Sequence, residues 1–379
     1  MLLSRRHWLV FAALTLARAA PAVAARPRPL VGAIRWDAWY APGSSVTSAV
    51  ERSLSPEHYR WRRPFFSRQD ETGHVRMPPI SQGLMDLEIA QAQYAGLDYW
   101  AFVAYPSGST MTAPLRHYLA STQRSDLRFC LFTELSAWGS REGSVPLLNE
   151  QLDLMAHEAY LRVEDQRPLY YLGFITAQLA QERWGGSDGL RRAIAGVRSR
   201  VAAAGAGNPY IVVGVLPRDD TGFAASLGAD AVGAYTIADG HTTGDYKTLT
   251  QIAENGWRAL AATELPVVPT VMAGWDRRPR VETPVPWERG QRQGSGLNYF
   301  FTAPQAHELA AHLRDALGWV SAQPAGRRAP AVLIYAWNEN DEGGWLVPTA
   351  PCDQARLEAL HRLLGKTFAS NPPGCVWQE

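Results

Sequence analysis

From Leu30 onward the chain alternates short apolar runs with longer amphipathic stretches. The runs at 30–36, 97–105, 127–134, 168–175, 209–216, 229–236, 266–273 and 330–337 are rich in Val, Ile, Tyr and Phe, and they are apolar continuously rather than at every second position. Parallel strands covered on both faces read this way, because neither face meets water. Helical spacing of apolar residues recurs at about 81–95, 113–123, 147–160, 187–204, 219–227, 245–262, 303–321 and 353–365. Eight strand–helix units in succession predict an α/β fold, a closed (β/α)8 TIM barrel, as a single domain over residues 25–379. An open doubly wound sheet is the alternative, but no Gly-rich loop that would cradle a phosphate follows the first run. Two connections are unusually long, 37–80 and 274–302, and both follow strand ends. In a barrel they lie on the catalytic face, where their aromatic residues either wall a groove or pack the loops down.

The last strand run leads into Trp337-Asn338-Glu339-Asn340-Asp341-Glu342-Gly343-Gly344-Trp345. Asn, Asp and Gly alone would suggest a solvated turn. Three carboxylates among Trp residues at the mouth of a buried strand instead suit a carbohydrate-sized cleft, with Glu339 and Glu342 as the catalytic candidates. The residues beyond the other strands would converge on the same opening: Asp37 and Tyr40, Tyr105, Glu134, Tyr235 and Asp239, then Trp275 and Asp276, with Trp337, Asn338 and Trp345 beside the acids. Two carboxyls can move protons, and Trp or Tyr faces stack on C–H-rich sugar rings. Glu134 also reads as a buried structural acid, and Tyr105 and Tyr235 as core layers. His157 and His241 are isolated, and without ligand spacing no metal site is expected. Metal-dependent hydrolysis is correspondingly disfavoured, and no cofactor is called for.

Residues 1–24 carry Arg5 and Arg6, an apolar stretch from Trp8 to Leu16, and Ala22-Val23-Ala24, the layout of a secretory signal with its cleavage site. Ser4-Arg5-Arg6-His7-Trp8-Leu9 resembles the twin-arginine subtype, so the expected destination is the bacterial periplasm or the exterior, with no membrane anchor after cleavage. The full chain of 379 residues has 37 basic and 36 acidic side chains. Removing the segment takes away Arg5, Arg6 and Arg18 and no acid, leaving 34 basic against 36 acidic residues. Nucleic acid is not the partner this balance suggests. Of three cysteines, Cys130 sits in an apolar run, whereas Cys352 and Cys375 bracket the last helical stretch. In an oxidising compartment those two can close a disulfide, two free thiols being the alternative.

Several segments together resemble the glycoside hydrolase family 99-like group, which includes the WbsX-like bacterial proteins and the endo-α-mannosidases. They are Val31-Gly32-Ala33-Ile34-Arg35-Trp36, Gly96 to Phe102, Phe129-Cys130-Leu131-Phe132, Gln166-Arg167-Pro168-Leu169-Tyr170, Gly274-Trp275-Asp276-Arg277-Arg278-Pro279 and Trp337-Asn338-Glu339 through Gly343, in order from first strand to last. The resemblance implies a cofactor-free barrel acting with retention on α-mannosides or related oligosaccharides and polysaccharides. It further implies a 1,2-anhydro sugar intermediate: Glu339 would take the proton of the sugar 2-hydroxyl, and Glu342 would protonate the leaving oxygen. A carboxyl acting as that acid is expected to have its pKa raised by burial. The chain departs from the usual W-N-E-W-x-E-G form, with Asn340 in place of the second Trp, a difference that bears on subsite shape. The competing expectation is a glycan-binding or polysaccharide-assembly protein on the same barrel, its acids serving only as hydrogen-bond acceptors.

Overall fold

The computed structural model describes residues 28–124, 126–139, 146–215, 221–288, 296–365 and 371–377. The signal-like segment 1–24 lies outside them. Eight parallel strands form the central sheet: β1 Leu30–Arg35, β2 Tyr99–Val103, β3 Arg128–Glu134, β4 Arg167–Gly173, β5 Tyr210–Gly214, β6 Ala231–Gly233, β7 Thr270–Met272 and β8 Ala331–Tyr335. β8 pairs with both β7 and β1, and the pairing then runs in chain order to β6. The seam between β6 and β7 is crossed by a parallel bridge, Val232 to Val267, with Val268 N–H donating to the Val232 carbonyl at 2.8 Å. The sheet is therefore a (β/α)8 barrel, and each of the eight expected runs overlaps one of its strands.

The barrel interior is filled rather than hollow. Gly32 on β1 faces the Tyr99 ring so closely that a Cβ there would fall 2.4 Å from it. The space Gly32 leaves lets Tyr99 reach across, sharing a hydrogen bond with the Tyr171 hydroxyl (2.8 Å) and donating to the Val332 carbonyl (3.0 Å). Between β1 and the helix Gln82–Ala95, fully buried Arg35 pairs with Glu88 and donates from Nε to Asp37 at 2.7 Å. Its guanidinium lies 4.6 Å from the Trp100 ring centroid. Such a cluster is stable only because each charge is matched.

The outer layer contains more helices than the periodicity predicts. Additional helices form at Ser45–Leu54, Ala177–Trp184 and Arg278–Glu282. The first and last lie inside the two long connections, whose Pro and aromatic content masks the helical spacing. Ser45–Leu54 is signalled only by its cap, Ser44, whose side chain accepts from Thr47 N–H at 3.1 Å. At the other end of the chain, Cys352 and Cys375 form a disulfide, while Cys130 is buried and unpaired in β3. No helix among the described residues is long and apolar enough to cross a membrane.

Candidate active site

The carboxylates after β8 are presented by a miniature hairpin. Asn338–Glu339 pairs antiparallel with Gly344–Trp345 around the 3-10 turn Asn340–Glu342. The turn closes at Gly343, whose φ of +89° is the left-handed region that favours glycine. A Cβ there would also sit 2.4 Å from Asp276 N. That close approach allows Asp276 N–H to donate to the Glu342 carbonyl at 2.7 Å, joining the loops after β7 and β8. Asn338 fixes the other arm: its Oδ1 accepts from Trp36 N–H (2.8 Å), and its carbonyl accepts from Trp39 Nε1 (2.6 Å).

Both glutamates open on one cavity of about 520 Å³ at the carboxyl ends of the strands. Trp36, Tyr105, Tyr235, Trp275 and Trp287 form much of its wall, with Glu134, Arg277, Arg280 and Glu288 among the polar lining. Trp36 packs edge-on against Trp287 with centroids 5.5 Å apart, and Tyr105 accepts from Trp36 Nε1 at 2.8 Å. Glu339 accepts from the Tyr235 hydroxyl (2.6 Å) and from Arg280 Nη2 (3.2 Å). Glu342 is gripped harder. It pairs with Arg280, accepts from the Tyr335 hydroxyl, and takes Arg277 Nε at 3.2 Å.

These surroundings set the two protonation states apart, in the direction opposite to expectation. Burial and the neighbouring Glu342 charge push Glu339 well above the ordinary carboxylate range, against the opposing pull of Arg280 and Tyr235. Burial also raises Glu342, but Arg280, Arg277 and the Tyr335 hydrogen bond outweigh it and hold this carboxyl below its ordinary value. The expected raised pKa at Glu342 is thus corrected. Two guanidiniums stabilise its anion, so of the pair Glu339 is the carboxyl that holds a proton more readily.

Of the remaining residues singled out in the sequence, Tyr105, Glu134, Tyr235 and Trp275 line the cavity, and Glu134 accepts from Ser136 at 3.0 Å. Six do not line it. Asp37 is held by Arg35, and burial, opposed by Arg35 and aided by Glu88, takes it to about 7. Tyr40 donates to Glu88 at 2.6 Å, and Asn338 braces the hairpin. Trp337 is fully buried in the core. Asp276 is clamped by Arg62 and Arg278, and Trp345 faces a different cavity. Asp239 accepts from Thr242 N–H at 2.9 Å in a turn, and His241 is exposed beside it.

Sequence reasoning missed Arg280 and its companions Arg277, Trp36 and Glu288, whereas Trp287 lies in the 274–302 connection whose aromatic residues were expected either to wall a groove or to pack the loop down. Arg280 is 3% exposed and also binds Asp341 with Nε at 2.7 Å and Nη2 at 2.9 Å. Its guanidinium lies 4.8 Å from the Trp36 ring. The signal available was Arg277-Arg278-Pro279-Arg280 at the start of a short helix beyond β7, which reads from sequence as a solvated charge run. Among the described residues no group of three His, Cys, Asp or Glu side chains is arranged to hold a metal.

The fold has a counterpart among solved structures. An endo-α-mannosidase of glycoside hydrolase family 99 from Bacteroides thetaiotaomicron, in complex with bis-tris-propane, superposes with a TM-score of 0.53. The alignment covers 89% of this chain and 96% of that one at 12% identity. A second structure of that enzyme gives a TM-score of 0.54 at 13% identity, covering 88% and 96%. The barrel resembles that of the family 99 enzyme. At this identity the likeness to the endo-α-mannosidase is one of fold. No protein-family model matches the chain, and a search of curated proteins found no match.

Proposed function

We propose that this protein is an exported retaining glycoside hydrolase that cleaves an α-linked, mannoside-like glycan with Glu339 and Glu342. The reading is carried by one observation: two buried carboxylates, Glu339 pushed up by burial and Glu342 held down by two guanidiniums, open together into a cavity walled by Trp and Tyr. Such a wall stacks on pyranose rings, and the pair is equipped to take one proton and give another. Following the family-like division, Glu339 removes the proton of the sugar 2-hydroxyl and Glu342 protonates the leaving oxygen. The two shifts run the opposite way, so productive binding has to raise Glu342 relative to Glu339. Sugar hydroxyls that compete for Arg277 and Arg280 would loosen their grip on Glu342 and raise its pKa. Both glutamates come from one short hairpin, Glu339 just before its three-residue turn and Glu342 at the end of that turn, which suits attack by the neighbouring 2-hydroxyl better than carboxyls flanking the bond about 5–5.5 Å apart. Export is supported by the signal-like start and by the disulfide between Cys352 and Cys375.

The experiment is reducing-end release from α-mannans, α-glucans and bacterial exopolysaccharides by the mature chain. Glu342→Gln should cost about 10²–10⁴-fold on poor leaving groups while sugar binding persists. A 2-deoxy-2-fluoro glycoside should leave Glu339 unlabelled, and a fluoroglycosyl ester on its peptide would refute the 1,2-anhydro route. One observation favours a second reading: a glutamate held by two guanidiniums is a weak acid catalyst, as befits a glycan-binding protein on the same barrel. Binding without release across the whole panel would select that reading.

A further inference from the structure

A second cavity, also of about 520 Å³, lies between the connection after β1, the start of the helix Ala306–Ala322 and the loop that follows the acid-bearing hairpin. None of its wall residues belongs to the first cavity. Two tryptophans shape it: Trp345, and Trp61, which is 50% exposed, an unusual state for so large an apolar ring. They meet edge-on with centroids 5.6 Å apart. The Arg356 guanidinium lies over the Trp345 ring, 3.9 Å from its centroid, and uses Nη1 on the carbonyls of Ala273 (3.1 Å) and Trp345 (2.6 Å). Its Nε and Nη2 have no hydrogen-bond partner among the described residues, and no carboxylate there lies within ion-pair distance of it. Asp353, Gln305 and Thr349 complete the polar wall.

A half-exposed indole, covered on one side by Arg62 at 5.1 Å, a guanidinium with spare donors and a carboxylate acceptor are what a pyranose ring needs: a stacking platform, donors and acceptors. The formal charges of Arg356 and Asp353 cancel, which matches an uncharged sugar rather than an acidic one. We propose that this cavity binds a neutral pyranose unit of the same glycan chain, making the substrate a polymer held at two places. The proposal rests on the glycan reading above. The two cavities are mechanically close, since Arg62, next to Trp61, donates to the Asp276 carbonyl at 3.0 Å, and Trp345 follows Glu342 by three residues.

The test uses the full mature chain carrying Glu342→Gln, so that binding is read without turnover. Mobility is measured in gels containing yeast α-mannan, dextran or polygalacturonate. Trp61→Ala should weaken retention by a neutral polymer about three- to tenfold, the loss expected for one stacked aromatic face. Trp61→Tyr should restore most of it, and melting temperatures should stay together because the ring is half exposed. Equal retention of the three proteins by every polymer, including no retention at all, overturns the proposal. Stronger retention by polygalacturonate than by either neutral polymer overturns the neutral class. Hydrolysis is scored separately by reducing-end release from the unsubstituted chain, so Trp61-dependent binding without release would sink the catalytic reading and leave this one standing.

Discussion

Arg277 and Arg280 decide how the glutamate pair titrates. Arg277 is the more exposed of the two, so replacing it disturbs little besides Glu342 and Glu288. With one opposing charge gone, the Glu342 anion is less stabilised and its pKa rises. A general acid works only below its own pKa, so Arg277→Gln should move the alkaline limb of the pH–rate profile to higher pH. An unmoved or downshifted limb, measured on one glycan across pH 4–9, would contradict the acid role of Glu342. Arg280 is another matter, because it is buried and matches Glu339, Asp341, Glu342 and Glu288. Arg280→Met strands those charges and should cost about 3–5 kcal/mol of stability. Adding Asp341→Asn should return part of that loss, and strict additivity in denaturant titrations would show that the two are not coupled.

At the scale of elements, the eight strands were legible because each is an uninterrupted apolar run, and their ends correctly located Glu134, Tyr105, Tyr235 and Trp275 at the cavity wall. The same rule misplaced Asp37 and Tyr40. They follow β1 just as closely, but the buried Arg35–Glu88 cluster engages them, and nothing in the sequence says that Glu88 on a helix faces Arg35 on a strand. Arg280 was hidden for the converse reason, since Arg is rarely buried and a run of three in four residues reads as surface. The disulfide was legible as a pairing that spacing allowed. It fastens the C-terminal tail beyond the helix Ala355–Leu364, where the Gly374 carbonyl accepts from Gln91 Nε2 at 3.1 Å. Replacing both cysteines by Ser should lower stability by about 3 kcal/mol, as expected for a closed loop of 23 residues, with turnover unchanged. Alkylation without reduction should label Cys130 alone.

For the whole molecule, the acid limit of stability is set in part far from the cavity. His312 is buried, stacked on Trp257 with centroids 5.2 Å apart, and neither ring nitrogen has a partner among the described residues. Burial takes it down to about 3 from an ordinary 6.5. The unfolded chain therefore binds this proton between those values and the folded chain does not, so stability is intact above pH 6.5 and declines as pH falls toward 3. At pH 5 the loss should be about 2 kcal/mol. His312→Phe, which keeps the stack and removes the proton site, should flatten unfolding free energy across that window, and an unchanged slope would refute the assignment.

The contact between Gly343 and the Asp276 backbone also bears on how this scaffold can be rebuilt. Because the two loops are sewn together through main-chain atoms, with Gly274 likewise too close to the Gly343 carbonyl to carry a side chain, neither can be exchanged alone. A graft that brings in only the acid-bearing loop would meet a foreign backbone where Asp276 N–H should be. Transplanting new specificity into this barrel means moving the segments after β7 and β8 as one cassette.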